Sequence, residues 1–438
     1  MTRPKDPSMQ PAESTKSRRE FLHALGAGTL VGSGALMNDS AAAEIPEASG
    51  KGAPRDLAVE TPPPRTDLGS LFPAVNKLAT ECRYPFSLLS GRFASLAEQK
   101  IAGRAKVLEA FGYRPAVVVP NAEVISRQEF PEFIREKIVF STSPQFRVPA
   151  YVHIPRGLKG RAPAIVDLHS HGGMFLFGKE KVIDFGTNHP TMQTYHERNY
   201  GGRPTTTELV KRGYVVITID AFMFGERRAR FAEDQALGSE RSELSQESVD
   251  LLNRKCRSKE STLAKSLIYA GLTWPGIITW DDMRTVDYLV TRPEVDAERI
   301  GCLGVSLGGW RTLFLAGLDD RIAAACVVGF MSTVQPMIER HIDTHSFAHF
   351  VPGLHQHLDL PDVVALRAPL PLLVQQCRQD GLFPVQGMED SLTKIGAIYQ
   401  KAGAKEKFSG RFYDVPHRFD VAMQNDAFTW LDRQLKPS

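Results

Sequence analysis

Ile300-Gly301-Cys302-Leu303-Gly304-Val305-Ser306-Leu307-Gly308-Gly309-Trp310-Arg311-Thr312 joins an apolar run to a helical pattern through a serine flanked by glycines. Ile300 to Val305 reads as a buried strand, Leu307 to Leu318 as the helix leaving it, and the turn between them carries Gly304-x-Ser306-x-Gly308. In such a strand-to-helix turn the serine occupies a strained backbone with its hydroxyl exposed, while small neighbours let strand and helix pack closely. Glycine and serine also build ordinary turns, so the five residues take their meaning from the rest of the chain.

Outward from this turn the chain alternates between two periodicities. Downstream, Ile322 to Phe330 and Leu370 to Gln376 read as strands, Met388 to Ala402 as a helix, Phe408 to Val415 as a strand and Phe419 to Leu435 as a closing helix. Upstream, Trp280 to Arg292 reads as a helix with Asp281 and Asp282 in its first turn, where carboxylates suit the helix dipole. Before it, Tyr214 to Asp220 reads as a strand behind a helix at Thr206 to Arg212. Ala164 to Leu168, Phe146 to Ile154 and Phe130 to Phe140 read as three more strands. Repeated β-α units predict an α/β fold with a mostly parallel central sheet and helices on both faces. The long connections 221–276 and 331–365 are expected to be helical caps over a pocket.

Ester attack requires a serine oxygen, a base, a carboxylate to hold the base, and donors for the oxyanion. Ser306 is the nucleophile candidate. Asp380 follows the strand at Leu370 to Gln376, and His417 stands at the junction of the last strand and last helix. The chain order Ser, Asp, His is the one an α/β-hydrolase sheet uses. Asp414 is the alternative acid, ranked second because it precedes His417 on the same strand end. For the oxyanion, the N–H of Leu307 is one expected donor, and the loop His171-Gly172-Gly173 after the strand ending at Leu168 is expected to give the other, from Gly173 rather than Gly172.

LHSHGGM with the following FGKEK, IDAFMFGERR, WDDMRTVDYLVTRPEVDAERIGCLGVSLGG, VQQCRQDGLFP and VPHRF together resemble the α/β-hydrolases of the dienelactone-hydrolase and acetyl-xylan-esterase-like branch, from about Phe130 to Leu435. The resemblance implies the α/β-hydrolase fold and a serine carboxylic-ester hydrolase that uses no metal or cofactor. Serine stands where true dienelactone hydrolases carry cysteine, which favours the esterase side. The N-terminal Arg18-Arg19-Glu20-Phe21-Leu22, its weakly apolar sequel and Ala41-Ala42-Ala43 resemble a twin-arginine export signal. That resemblance implies a signal over 1–43, the twin-arginine machinery as a partner, a periplasmic or extracellular protein, and no stable membrane anchor after cleavage. Residues 44–70 read as a linker, 71–125 as a helical leader in which Ala97, Ile101, Ala105, Leu108 and Phe111 share a face, and 126–438 as the catalytic domain.

Composition sets the remaining bounds. Among 438 residues, 53 Lys and Arg against 50 Asp and Glu leave no excess that would favour nucleic acid. Oligomeric state is left open. Cys302, Cys326 and Cys377 fall in or beside apolar runs and read as buried thiols. His341, His345 and His349, four apart, would share a helix face as metal ligands do, but read better as part of the cap. Candidate pocket residues are His171, Met174, Trp310 and His345, with His349 beside them. Glu226, Arg227 and Arg228 read as internal ion pairs rather than substrate contacts, Trp274 and Trp280 as core, and Lys179 and Lys181 as a solvated turn. The expected function is an exported serine esterase for small acyl or carbohydrate acetyl esters. A prolyl-oligopeptidase-type peptidase, for which no propeller-length region precedes the domain, and a silent binding protein on the same fold are the alternatives.

Overall fold

The computed structural model describes residues 68–186, 189–232, 234, 243–339 and 341–436, so the expected signal and all but the last residues of the linker lie outside the described residues. The chain enters through α1 (Phe72–Thr80) and α2 (Leu96–Phe111), then forms β1 (Glu123–Glu129), β2 (Phe133–Ser141), β3 (Arg147–Pro155) and β4 (Ala162–Leu168). Helices α3 (Pro190–Tyr200) and α4 (Thr205–Lys211) precede β5 (Val215–Ile219). Helices α5 (Gln246–Tyr269) and α6 (Trp274–Thr291) lead to β6 (Val295–Val305), α7 (Leu307–Leu318) and β7 (Ile322–Val328). Short helices α8 (Val334–Glu339) and α9 (Leu360–Ala365) follow, then β8 (Leu372–Cys377), α10 (Val385–Lys401), β9 (Phe408–Tyr413) and α11 (Val421–Leu435).

The strands form one sheet in the order β1-β2-β3-β5-β4-β6-β7-β8-β9. Every pair from β5–β4 to β8–β9 is parallel, and β1 to β3 extend the sheet antiparallel. β4, β5 and β7 are near-continuous apolar runs because helices cover both of their faces, and β8 is buried throughout although it carries Gln375 and Gln376. Alternate residues divide between two cores. Ala164, Val166, Leu168, Ile300 and Cys302 face α2, α6 and α7, whereas Ile165, Leu303 and Val305 face α3, α4 and α11. The three strand cysteines are buried, and burial pushes the thiols of Cys302 and Cys377 up to about 12.

Local chemistry corrects several expectations. The buried stripe of α2 is Gln99, Gly103, Val107 and Phe111, while Ile101 is 72% exposed. Gln99 turns inward because its amide donates to the Phe86 carbonyl at 2.8 Å, and Gly103 because a methyl there would lie 2.6 Å from Leu366. Helix α6 begins at Trp274, not Trp280: Thr273 caps it by accepting from the Gly276 N–H at 3.0 Å, and Pro275 suits the first turn. Asp281 and Asp282 are therefore mid-helix and fully buried, where ion pairing replaces the dipole as their partner: Arg227 at 2.7 Å and Arg311 at 2.6 Å. Lys179 and Lys181 are not solvated; both are completely buried. Lys179 is held by Asp220 at 2.6 Å and Glu226 at 2.7 Å, and Lys181 by the carbonyls of Ser170 and His171 at 2.9 and 2.8 Å. Glu226, Arg227 and Arg228 are indeed ion-paired, with Lys179, Asp281 and Asp234.

Candidate active site

The carboxyl ends of β4, β6, β7, β8 and β9 converge on one cavity of about 820 Å³. At its floor Ser306 has φ 61° and ψ −124°, a conformation that L-residues rarely adopt. Packing enforces it. A methyl on Gly308 would lie 1.9 Å from the Leu168 carbonyl oxygen, and one on Gly304 2.4 Å from the same atom, so only glycine lets α7 sit against β4 and β6. Leu307 opens α7, so its N–H has no carbonyl four residues back to serve and is left for another acceptor.

Asp380 follows β8 and His417 follows β9, and His417 lines the cavity. His417 Nδ1 donates to Asp380 Oδ2 at 2.6 Å, and Asp380 Oδ1 accepts from the Leu382 N–H at 2.8 Å. The carboxylate accepts at Nδ1, so the proton resides there and Nε2 carries the lone pair. Nε2 is buried without a partner among the described residues, and His417 and Ser306 line the same cavity. Asp414 turns away: exposed, it accepts from Gln379 at 3.0 Å.

The loop after β4 departs from expectation. Gly172 and Gly173 are both left-handed, at φ 55° and 67°, which curls the loop back so that the Gly173 N–H donates to His171 Nδ1 at 3.0 Å. That donor is already engaged. His171 Nε2 in turn donates to Glu260 Oε1 at 3.0 Å. Burial pushes the His171 imidazole below its usual pKa, against the upward pull of Glu260. Burial likewise drives the Lys181 ammonium beneath this loop well below its ordinary value.

Residues of both long connections border the cavity, among them Arg257 and Glu260 of α5 and His345 and His349 of the second. His341, His345 and His349 do not share a helix face: the second connection is broken into short 3-10 turns, and His341 itself is left-handed at φ 69°. His341 donates to the Gly381 carbonyl and His345 to the His341 carbonyl, each at 2.9 Å. Burial pushes the pKa of His345 and His349 down, so both are neutral near pH 7. Among the described residues no three His, Cys, Asp or Glu side chains are grouped to hold a metal ion.

Of the expected pocket residues, His171, Met174 and His345 line the cavity. Trp310 does not. It is fully buried on the inner face of α7, with its ring centroid 4.5 Å from that of Phe314. Trp274 is also core, and Trp280 donates to the Thr142 carbonyl at 2.7 Å. Sequence reading missed Glu260, Arg257 and Asn253. Their spacing of i, i+4 and i+7 within a charged stretch was the available signal.

Residues 95–427 match the model of the Abhydrolase family. A Bacillus subtilis protein named "Putative hydrolase YtaP" is 27% identical over 318 residues, covering 72% of this chain and 93% of that protein. A Bacteroides fragilis crystal structure described as a "putative acetyl xylan esterase" superposes with TM-score 0.59 at 19% identity, over 80% of this chain and 83% of its own. A glucuronoyl esterase from Solibacter usitatus superposes with TM-score 0.56 at 15% identity, over 80% and 97%.

Proposed function

Because the chain belongs to the Abhydrolase family and is a hydrolase of the α/β type, we propose that it is a serine esterase with Ser306 as nucleophile, His417 as base and Asp380 as the carboxylate that orients the base. The observation that carries this reading is the His417 ring itself: Nδ1 is held by Asp380 at 2.6 Å while the opposite nitrogen faces, unpartnered, the cavity floored by the strained Ser306.

Ser306 Oγ attacks the ester carbonyl as His417 Nε2 takes its proton, and the carbonyl oxygen becomes an oxyanion that the Leu307 N–H stabilises. Collapse expels the alcohol, protonated by His417, and leaves an acyl group on Ser306. Water, deprotonated by the same nitrogen, then attacks the acyl carbon, and the acid departs as Ser306 regains its proton. Asp380 stabilises the imidazolium formed in each half. The substrates proposed are small acyl esters, including acetyl esters on carbohydrate; the two carbohydrate esterases of like fold supply the ester classes to test first.

Short p-nitrophenyl esters, acetylated xylose oligomers and uronate methyl esters, assayed beside dipeptide amides, separate the readings. Hydrolysis of esters with amides untouched supports the esterase. Cleavage of dipeptide amides with esters untouched replaces it with a peptidase. We further propose that the protein is exported through the twin-arginine pathway; Arg18→Lys with Arg19→Lys should hold it in the cytoplasm, and undiminished delivery would contradict that route.

A further inference from the structure

Helix α5 grips the loop after β4 at two points on one face. Asn253 Oδ1 accepts from the N–H groups of Phe175 and Leu176 at 2.8 and 2.9 Å. Seven residues later, two turns along the same face, Glu260 Oε1 accepts from His171 Nε2 at 3.0 Å. The same carboxylate oxygen accepts from the Ser346 hydroxyl at 2.9 Å, and Ser346 in turn caps the Phe347–His349 turn of the second connection. One half-buried carboxylate oxygen thus ties together the β4 loop and both segments that border the cavity.

The tautomer of His171 is where this contact meets the chemistry. A neutral imidazole offers one donor and one acceptor. Glu260 takes the donor, which leaves Nδ1 as the acceptor that holds the Gly173 N–H at 3.0 Å. If the proton moved to Nδ1, donor would face donor, and the Gly172–Gly173 peptide would have to turn. Both glycines are left-handed, so no Cβ resists that rotation. His171, Gly172 and Gly173 line the cavity with Ser306, so the orientation of this peptide decides which N–H groups face a substrate there.

We propose that Glu260 is a positioning residue, which fixes His171 as the Nε2–H tautomer and so sets the orientation of the Gly172–Gly173 peptide in the cavity while joining the β4 loop to the second cap through Ser346. This rests on the serine-esterase reading for its kinetic consequence, but not for its structural one. The experiment compares wild type, Glu260→Gln and Glu260→Ala by two readouts. The first is the ¹⁵N spectrum of histidine-labelled protein, which reports the His171 tautomer whether or not any ester is turned over. The second is kcat and KM on p-nitrophenyl acetate, with kcat expressed per active site counted by fluorophosphonate labelling, so that misfolded protein does not enter.

A misplacement of about 1 Å beside the reacting atoms costs up to about 10²-fold in kcat, so Glu260→Ala, which releases the Gly172–Gly173 peptide in the cavity that Ser306 lines, is expected to lower kcat per site roughly 30-fold with KM little changed. Its His171 should become a mixture of tautomers. Glu260→Gln keeps a carbonyl oxygen that accepts from both His171 and Ser346, and should retain the Nε2–H tautomer with a smaller loss, roughly threefold. An unchanged tautomer in Glu260→Ala would overturn the proposal, as would an unchanged kcat per site. If the wild type hydrolyses no ester, the esterase reading falls and the tautomer alone decides the role of Glu260.

Discussion

Substituting Gly308 by alanine should disable the site through packing alone. The added methyl would lie 1.9 Å from the Leu168 carbonyl oxygen and 3.0 Å from its carbon, against an ordinary contact near 3.4 Å, so α7 must back away from β4 by about 1.5 Å. Neither neighbour is a flexible side chain end: Leu168 O is backbone, in a strand paired with β6 on one side and β5 on the other. Overpacking of a rigid core costs about 1–3 kcal/mol, and a backbone clash belongs at the top of that range. For a folded region of roughly 370 residues that is a fall in Tm of about 4 °C. The larger effect is on rate. Ser306 lies two residues before Gly308, and a displacement of about 1 Å at a nucleophile costs about 10²-fold in kcat. Differential scanning fluorimetry and p-nitrophenyl acetate hydrolysis measure the two. Gly160→Ala, whose methyl meets nothing within 4 Å, is the control and should change neither. A Gly308→Ala protein with wild-type kcat would refute the account of how the elbow is built.

Asp380→Asn leaves an amide opposite His417 Nδ1, 2.6 Å from the present carboxylate oxygen, and disfavours the tautomer with Nε2 free; kcat should fall about 10⁴-fold with KM nearly constant in steady-state assays. Asp282→Ala strands the fully buried Arg311 guanidinium on α7 and should cost about 3–5 kcal/mol in chemical denaturation, whereas the double change Asp282→Ala with Arg311→Met should recover part of the loss. Asp167, buried in β4 and accepting from the hydroxyls of Thr205 and Thr206 at 2.7 Å, has its pKa pushed up to about 6 by burial. A carboxyl whose folded pKa is raised costs stability once it is charged, so the cost is full above pH 6 and fades toward the unfolded value near 4. Asp167→Asn should therefore raise Tm at pH 7.5, by up to ~3 kcal/mol of stability, and should lose that advantage near pH 4. Equal gains at both pH values would refute the assignment.

Much of the sheet core could be read from residues alone, because parallel strands buried on both faces announce themselves as apolar runs. The helix Leu307–Leu318 begins and ends where its pattern placed it, and the chain order put Asp380 after β8 and His417 after β9, where the structure pairs the two side chains at 2.6 Å. Elements without an apolar signature were missed. β1 is exposed along its whole length at the sheet edge, so no alternation marks it, and α3 is largely polar. Lys179 and Lys181 looked like a solvated turn because their partners, Asp220 and Glu226 for one and two loop carbonyls for the other, are brought in only by tertiary folding. The engagement of Gly173 was hidden for a related reason: it depends on a histidine tautomer set by a carboxylate 89 positions away.

A nucleophilic Ser306 Oγ can be trapped covalently. Wild-type protein treated with a fluorophosphonate should gain one phosphonyl group, located by peptide mass spectrometry on the Ile300–Thr312 stretch, and Ser306→Ala should gain none and hydrolyse no ester. Labelling that persists in Ser306→Ala, or that maps to another residue in the wild type, would contradict it.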